Sequence, residues 1–140
     1  MNMAEQKSKG RILVVEDETF MRELYEELLK GDGYEVNAAP DGAAALTLIA
    51  DKKYDLTMLD IMLPKKDGLQ VIEEAAEAGQ SDRLGKVILL TNLGQEAVIK
   101  RGFELGAVGY LIKSAYTPQQ VLDEVATFLG NGGNDEGQAK

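Results

Sequence analysis

The sequence contains no cysteine and no histidine. The first absence excludes disulfides, thiolate metal sites and cysteine nucleophiles. The second removes the usual zinc ligands and the commonest general base, so any phosphohistidine step must use a partner's histidine. Both absences fit a cytoplasmic chain. No apolar run approaches the roughly 20 residues that cross a bilayer, so no membrane span is expected. Residues 1–10 are polar and lack the apolar core of a secretory signal; residues 1–9 read as a flexible leader. Positive charge is scarce as well: 15 Lys and Arg stand against 24 Asp and Glu, a net charge of -9. That balance argues against direct nucleic-acid binding, which draws its affinity from cations facing phosphates, and against anionic membrane surfaces. Most of the acids simply keep the surface soluble. The informative ones stand at special places.

The 140 residues, 44% hydrophobic and 28% charged, suit one soluble domain with one core. Short apolar runs occur at Ile12–Val15, Tyr34–Ala38, Leu56–Leu59, Val87–Leu90 and Tyr110–Ile112. Ile12-Leu13-Val14-Val15 and Val87-Ile88-Leu89-Leu90 show no alternation, which predicts strands covered on both faces of a parallel sheet. Helical periodicity lies between the runs. Phe20, Leu24 and Leu28 recur every four residues with Met21, Tyr25 and Leu29 beside them. Ala45, Leu48 and Ile49 follow Asp41-Gly42, and Leu69, Ile72, Ala75 and Ala76 follow Asp67-Gly68. Glu96–Leu105 is less amphipathic. Thr117-Pro118-Gln119-Gln120 supplies an N-cap, an N1 proline and a capping-box glutamine, followed by Val121, Leu122, Val125 and Leu129. A strand–helix unit repeated five times predicts an α/β fold: a doubly wound (βα)5 parallel sheet with helices on both faces. The domain is expected over 10–129, with a disordered tail over 130–140 where Gly, Asn, Asp, Glu and Gln take over.

In such a sheet ligands gather beyond the carboxyl ends of the strands. Glu16-Asp17-Glu18 follow the first run, Asp60 the third, Thr91 the fourth and Lys113 the fifth. The second run ends in Ala39-Pro40-Asp41, with no obvious chemical group to contribute. Carboxylates from neighbouring strands make an oxygen-rich pocket suited to a hard cation such as Mg²⁺. With a cation present, one carboxylate can attack phosphorus while a lysine and a hydroxyl hold the phosphoryl oxygens. Singly, each residue has a plainer reading. Glu16, Asp17, Glu18, Thr91 and Asn92 could cap helices, and Lys113 could be a solvated surface lysine. Asp60 precedes Ile61-Met62-Leu63-Pro64 and caps no helix. Taken together, in this order along one sheet edge, the set describes an acceptor of a phosphoryl group.

Leu13-Val14-Val15-Glu16-Asp17-Glu18, Asp60-Ile61-Met62-Leu63-Pro64-Lys65-Lys66-Asp67-Gly68, Leu90-Thr91 and Tyr110-Leu111-Ile112-Lys113 resemble the motif set of response-regulator receiver domains. The resemblance covers about residues 10–129 and implies a flavodoxin-like sheet of strand order 2-1-3-4-5. It further implies that Asp60 takes the phosphoryl group from a sensor histidine kinase or histidine phosphotransfer protein. Glu16 and Asp17 would bind Mg²⁺ beside Asp60, with the backbone carbonyl of Met62 as a further ligand. Lys113 would bridge the acceptor and the phosphoryl oxygens, Thr91 would swing inward, and Tyr110 would follow as the aromatic switch. A downstream protein target would read the change on the Glu96–Leu105 helix, the last strand and the Pro118–Leu129 helix. The protein is expected to be monomeric when unphosphorylated.

Three positions depart from the family's pattern. Ser114 stands where proline, commonly cis, usually follows the lysine. Asn92 replaces a small residue after the threonine, and Gly94 and Gly102 weaken the fourth helix by roughly 1 kcal/mol per helical glycine. Met62 and Leu93, two beyond the acceptor and the threonine, are apolar, and the family's behaviour then implies slow loss of the phosphoryl group. Other settings remain open: the receiver module of a longer regulator, or a pseudo-receiver that signals by binding alone. An Mg²⁺-dependent phosphatase of the haloacid-dehalogenase type would want an acid where Met62 stands. In a flavin-binding protein of similar fold, the acidic first loop would repel phosphate.

Overall fold

The structure is a computed structural model that describes residues 8–92 and 95–130. The expected leader and tail therefore lie mostly outside the described residues, as do Leu93 and Gly94. Strands β1 (Arg11–Val15), β2 (Glu35–Ala39), β3 (Leu56–Asp60), β4 (Lys86–Thr91) and β5 (Gly109–Ile112) alternate with helices. These are α1 (Thr19–Gly31), α2 (Gly42–Asp51), α3 (Gly68–Glu77), α4 (Glu96–Glu104) and α5 (Pro118–Leu129). All neighbouring strands pair in parallel, in the order β2-β1-β3-β4-β5. The expected topology is thus present.

The near-continuous apolar strands bury residues on both faces. Leu13, Val15, Leu59, Val87 and Leu89 pack against Ala45 and Ile49 of α2 and Val71, Ile72 and Ala75 of α3. Val98 and Ile99 of α4 add to that layer. Ile12, Val14, Met58, Ile88, Leu90 and Leu111 face the other way, against Tyr25 and Leu29 of α1 and Val121, Leu122 and Val125 of α5. A Leu→Ala change at one of these fully buried strand positions costs about 2–5 kcal/mol.

Local chemistry sets the helix ends. Asp41, which seemed to contribute nothing, accepts the Ala44 amide at 2.8 Å and so caps α2. Asp67 and Thr117 build capping boxes with Gln70 and Gln120, and α5 closes on Gly130 in the left-handed region. The helix α1 departs from expectation. Phe20 is 69% exposed, and the inward side is formed by Met21, Tyr25, Leu28 and Leu29. Gly102 is a packing glycine: a Cβ there would lie 2.4 Å from Leu89 Cδ1. Its helix-weakening effect is offset by letting α4 approach β4 closely.

Candidate functional site

Strand parity brings the acids together. Ile12 and Val14 point to the α1/α5 side, so Glu16 continues that side; Met58 does the same for Asp60. Val15 pairs with Leu59, which makes Glu16 and Asp60 neighbours just beyond the last paired residues. Leu90 pairs with both Asp60 and Leu111, and Lys113 lies two residues past Leu111 on the same parity. The motif glycine, Gly68, completes the corner, because a Cβ there would stand 2.6 Å from the Asp60 carbonyl oxygen.

Asp60 is buried. Its Oδ2 accepts a hydrogen bond from Lys113 Nζ at 2.9 Å and its Oδ1 accepts from the Met62 amide at 2.9 Å. Glu16 is fully buried; its Oε2 accepts from the Glu18 amide at 3.1 Å. Lys113 Nζ also lies 2.9 Å from Glu16 Oε1, an ion pair whose angle falls outside hydrogen-bond geometry. Asp17 is exposed on the rim, and the three carboxylates each bring an oxygen within 4.8 Å of the others. The two buried carboxylates thus share one ammonium, with Asp17 beside them. Burial pushes the Glu16 carboxyl above its ordinary range, and the Asp60 charge adds to that, although Lys113 and the Glu18 amide oppose it. Burial alone would lower the Lys113 ammonium, but its hydrogen bond to Asp60 and its ion pair with Glu16 override that and hold it well above its ordinary value.

The N-cap of α1 is Glu18, which makes no side-chain capping bond, and the N-cap of α4 is Gln95 rather than Thr91 or Asn92. Lys113 is only 21% exposed and is ion-paired twice, so it is no solvated lysine. Thr91 is buried, and its Oγ1 has no hydrogen-bond partner among the described residues. That hydroxyl has a donor free for a ligand or a water. Met62, two residues past Asp60, is exposed. Tyr110 points outward, partly exposed, with its ring edge-on to Phe103 at a centroid distance of 6.2 Å. The Lys113–Ser114 bond is trans, like every peptide bond described, and Lys113–Ala115 form a short 3-10 turn.

Two residues near the site escaped the sequence reading. Tyr25 is buried in the layer beneath the acids, and burial, with Glu16 next in effect, pushes its phenol above its ordinary value. Arg22 donates to the Glu16 and Asp17 carbonyls. Neither contact follows from local periodicity.

The profile of the family described as "Response regulator receiver domain" matches residues 12–126. The chain belongs to that family. Receiver domains work in phosphorylation-dependent signalling, where they meet histidine kinases and downstream targets. This receiver domain is 33% identical over 125 residues to the transcriptional regulatory protein ResD of Bacillus subtilis (strain 168), covering 89% of this chain and 50% of ResD. It is 35% identical over 120 residues to the transcriptional regulatory protein SrrA of Staphylococcus aureus (strain COL), covering 86% of this chain and 48% of SrrA. The chain thus spans about half the length of these curated relatives. Among solved structures, it is similar to a CheY-like receiver domain protein of Methanospirillum hungatei JF-1, with a TM-score of 0.74 and 27% identity over 87% of this chain and 94% of that one. The chemotaxis protein CheY4 of Vibrio cholerae gives a TM-score of 0.74 and 25% identity over 82% of this chain and 94% of that one. No helix among the described residues is long and apolar enough to cross a membrane.

Proposed function

We propose that this receiver domain is a switch thrown by phosphorylation of Asp60. The observation that carries the reading is the buried Asp60 carboxylate, 2.9 Å from Lys113 and grouped with Glu16 and Asp17 at the strand ends. In the transfer, an Asp60 oxygen bonds to phosphorus as the phosphorus–nitrogen bond of a partner's phosphohistidine breaks. The imidazole leaves with the bonding pair and regains a proton from solvent.

The donor set fits Mg²⁺: hard oxygens, three carboxylates and one compensating ammonium leave room for a divalent charge. Glu16, Asp17 and Asp60 would hold it, with the Met62 carbonyl the further ligand suggested by the family. When bound it would neutralise charge on the phosphoryl oxygens. Lys113, already at Asp60, is placed to exchange one carboxylate oxygen for a phosphoryl oxygen. The unpartnered Thr91 hydroxyl donates to another, and the space its movement vacates is taken by Tyr110 as it leaves Phe103. The readout is then a changed face made by α4, β5 and α5, offered to a downstream protein. The domain drives its own phosphorylation and loses the group slowly, since the exposed Met62 sets an apolar side chain two residues past the acceptor.

The charge of -9 supports a protein partner over nucleic acid or an anionic membrane. We place the domain in the cytoplasm as a monomer before phosphorylation, over about residues 10–129. The leading setting is a stand-alone switch; matching about half the length of ResD and SrrA is also consistent with the alternative, a receiver module within a longer regulator. Intact mass after incubation with acetyl phosphate tests the reading. One phosphoryl group should add in the presence of Mg²⁺, none should add with chelator, and none to Asp60→Asn. Addition to the mutant would overturn the assignment.

A further inference from the structure

The turn between β1 and α1 is anchored through its carbonyls and the buried Glu16, while the Asp17 and Glu18 carboxylates stay unpaired among the described residues. The Glu16 amide donates to the Ala39 carbonyl at 3.1 Å, its Oε2 accepts the Glu18 amide, and its Oε1 faces Lys113. Arg22, one turn into α1 and half-buried, closes the remaining side. Its Nη1 donates to the Glu16 carbonyl at 3.0 Å and to the Asp17 carbonyl at 3.2 Å. Its own amide donates to the Glu18 carbonyl at 2.9 Å. Three consecutive acids, Glu16-Asp17-Glu18, precede it in the chain, yet Arg22 forms no ion pair among the described residues. Its guanidinium is committed to backbone oxygens instead.

That choice has two effects. Positive charge is set behind a turn of three like charges without occupying any carboxylate oxygen, so the carboxylates stay available to a cation. Two successive peptide groups are also clamped by one donor, which fixes the direction in which the exposed Asp17 side chain leaves the backbone. Groups behind the direct ligands commonly govern affinity in this way.

We infer that Arg22 is the positioning residue of the cation site: it holds the Glu16–Asp17 turn so that Asp17 is presented toward Glu16 and Asp60. The inference rests on the reading that these acids hold Mg²⁺. Removing Arg22 has opposed consequences, since loss of a nearby cation favours Mg²⁺ while loss of the clamp disfavours it. The two carbonyl bonds are short and direct, whereas the charge acts across partly solvated space, so the clamp dominates.

The test is calorimetric titration of the whole chain with MgCl2, beside Arg22→Met, which keeps the stem, and Arg22→Lys, which keeps the charge. Arg22→Met should bind about 10-fold more weakly, the lower range for loss of a supporting partner. Arg22→Lys should fall between it and wild type. Hydrogen exchange at the Glu18 amide should quicken in Arg22→Met without cation present. With acetyl phosphate, the Mg²⁺ concentration for half-maximal rate should rise, while the rate at saturating Mg²⁺ returns to wild type. A purely structural role would lower stability and leave that concentration unchanged. Wild-type binding with equal or tighter binding in both variants overturns the inference alone. Absence of binding by wild type overturns the Mg²⁺ reading and this inference with it.

Discussion

At the amino-terminal edge of the sheet, charges meet in water. Arg11 Nε pairs with Glu35 at 3.0 Å, Lys52 approaches the same carboxylate at 3.9 Å, and Lys53 lies 3.7 Å from Asp82. All of these side chains are at least about a third exposed, and each cation has its anion. At the carboxyl edge the same kinds of group are buried: Glu16, Asp60 and Thr91 have almost no contact with solvent. There Lys113 is paired with both buried carboxylates, Asp17 has no cation, and the Thr91 hydroxyl has no partner among the described residues. Exposed pairs gain and cost little, because water competes for both members. Buried groups that are incompletely matched cost stability and keep a capacity to bind. The contrast sets the carboxyl edge apart as the less satisfied of the two.

The largest test of this contrast is Lys113→Met. Removing the cation leaves Glu16 and Asp60 facing each other in the interior, and metal-free stability in urea unfolding should fall by about 3 kcal/mol. Added Mg²⁺ should restore much of it. Next comes Glu16→Gln. The folded Glu16 carboxyl is raised, so between the ordinary carboxylate range and its raised value the native state binds more protons than the unfolded state. Metal-free wild type should therefore lose stability as pH rises through that window, with a slope of at most about 1.4 kcal/mol per pH unit for one proton. Glu16→Gln should flatten that part of the profile.

Thr91→Val is expected to move stability the opposite way. A methyl in place of the unpartnered hydroxyl should raise the unfolding free energy by about 1 kcal/mol. The same variant should still accept the phosphoryl group yet fail to change partner binding, measured by titration of the phosphorylated form. Smallest of all, Arg11→Gln at the amino edge should change stability by less than about 0.5 kcal/mol, an effect that salt screens away. If Arg11→Gln cost as much as Lys113→Met, the contrast between the two edges would collapse.

Much of this arrangement is legible in the chain. Continuous apolar strands identify a buried parallel sheet, and the groups after them identify the edge that carries Glu16, Asp60, Thr91 and Lys113. Capping at Thr117 is equally plain, because its partners lie three residues away. Long-range contacts are less readable. Along α1, a stripe through Phe20, Leu24 and Leu28 and one through Met21, Tyr25, Leu28 and Leu29 satisfy the same period. Only the placement of α1 on the sheet selects the second and leaves Phe20 outside. Gly102 looks like a helix weakener until Leu89 is seen against it. Arg22 reads as one more surface charge among acids, since backbone carbonyls leave no mark in the sequence.

The central claim is that Asp60 carries the phosphoryl group. Borohydride reduction of the protein after treatment with acetyl phosphate and Mg²⁺, followed by peptide mass mapping, tests it most directly. An acyl phosphate on Asp60 would be reduced at that side chain, so the mass change should fall on residue 60 and nowhere else. A change at Glu16 or Asp17, or a phosphoryl group that survives reduction on a hydroxyl such as Thr91, would contradict the account.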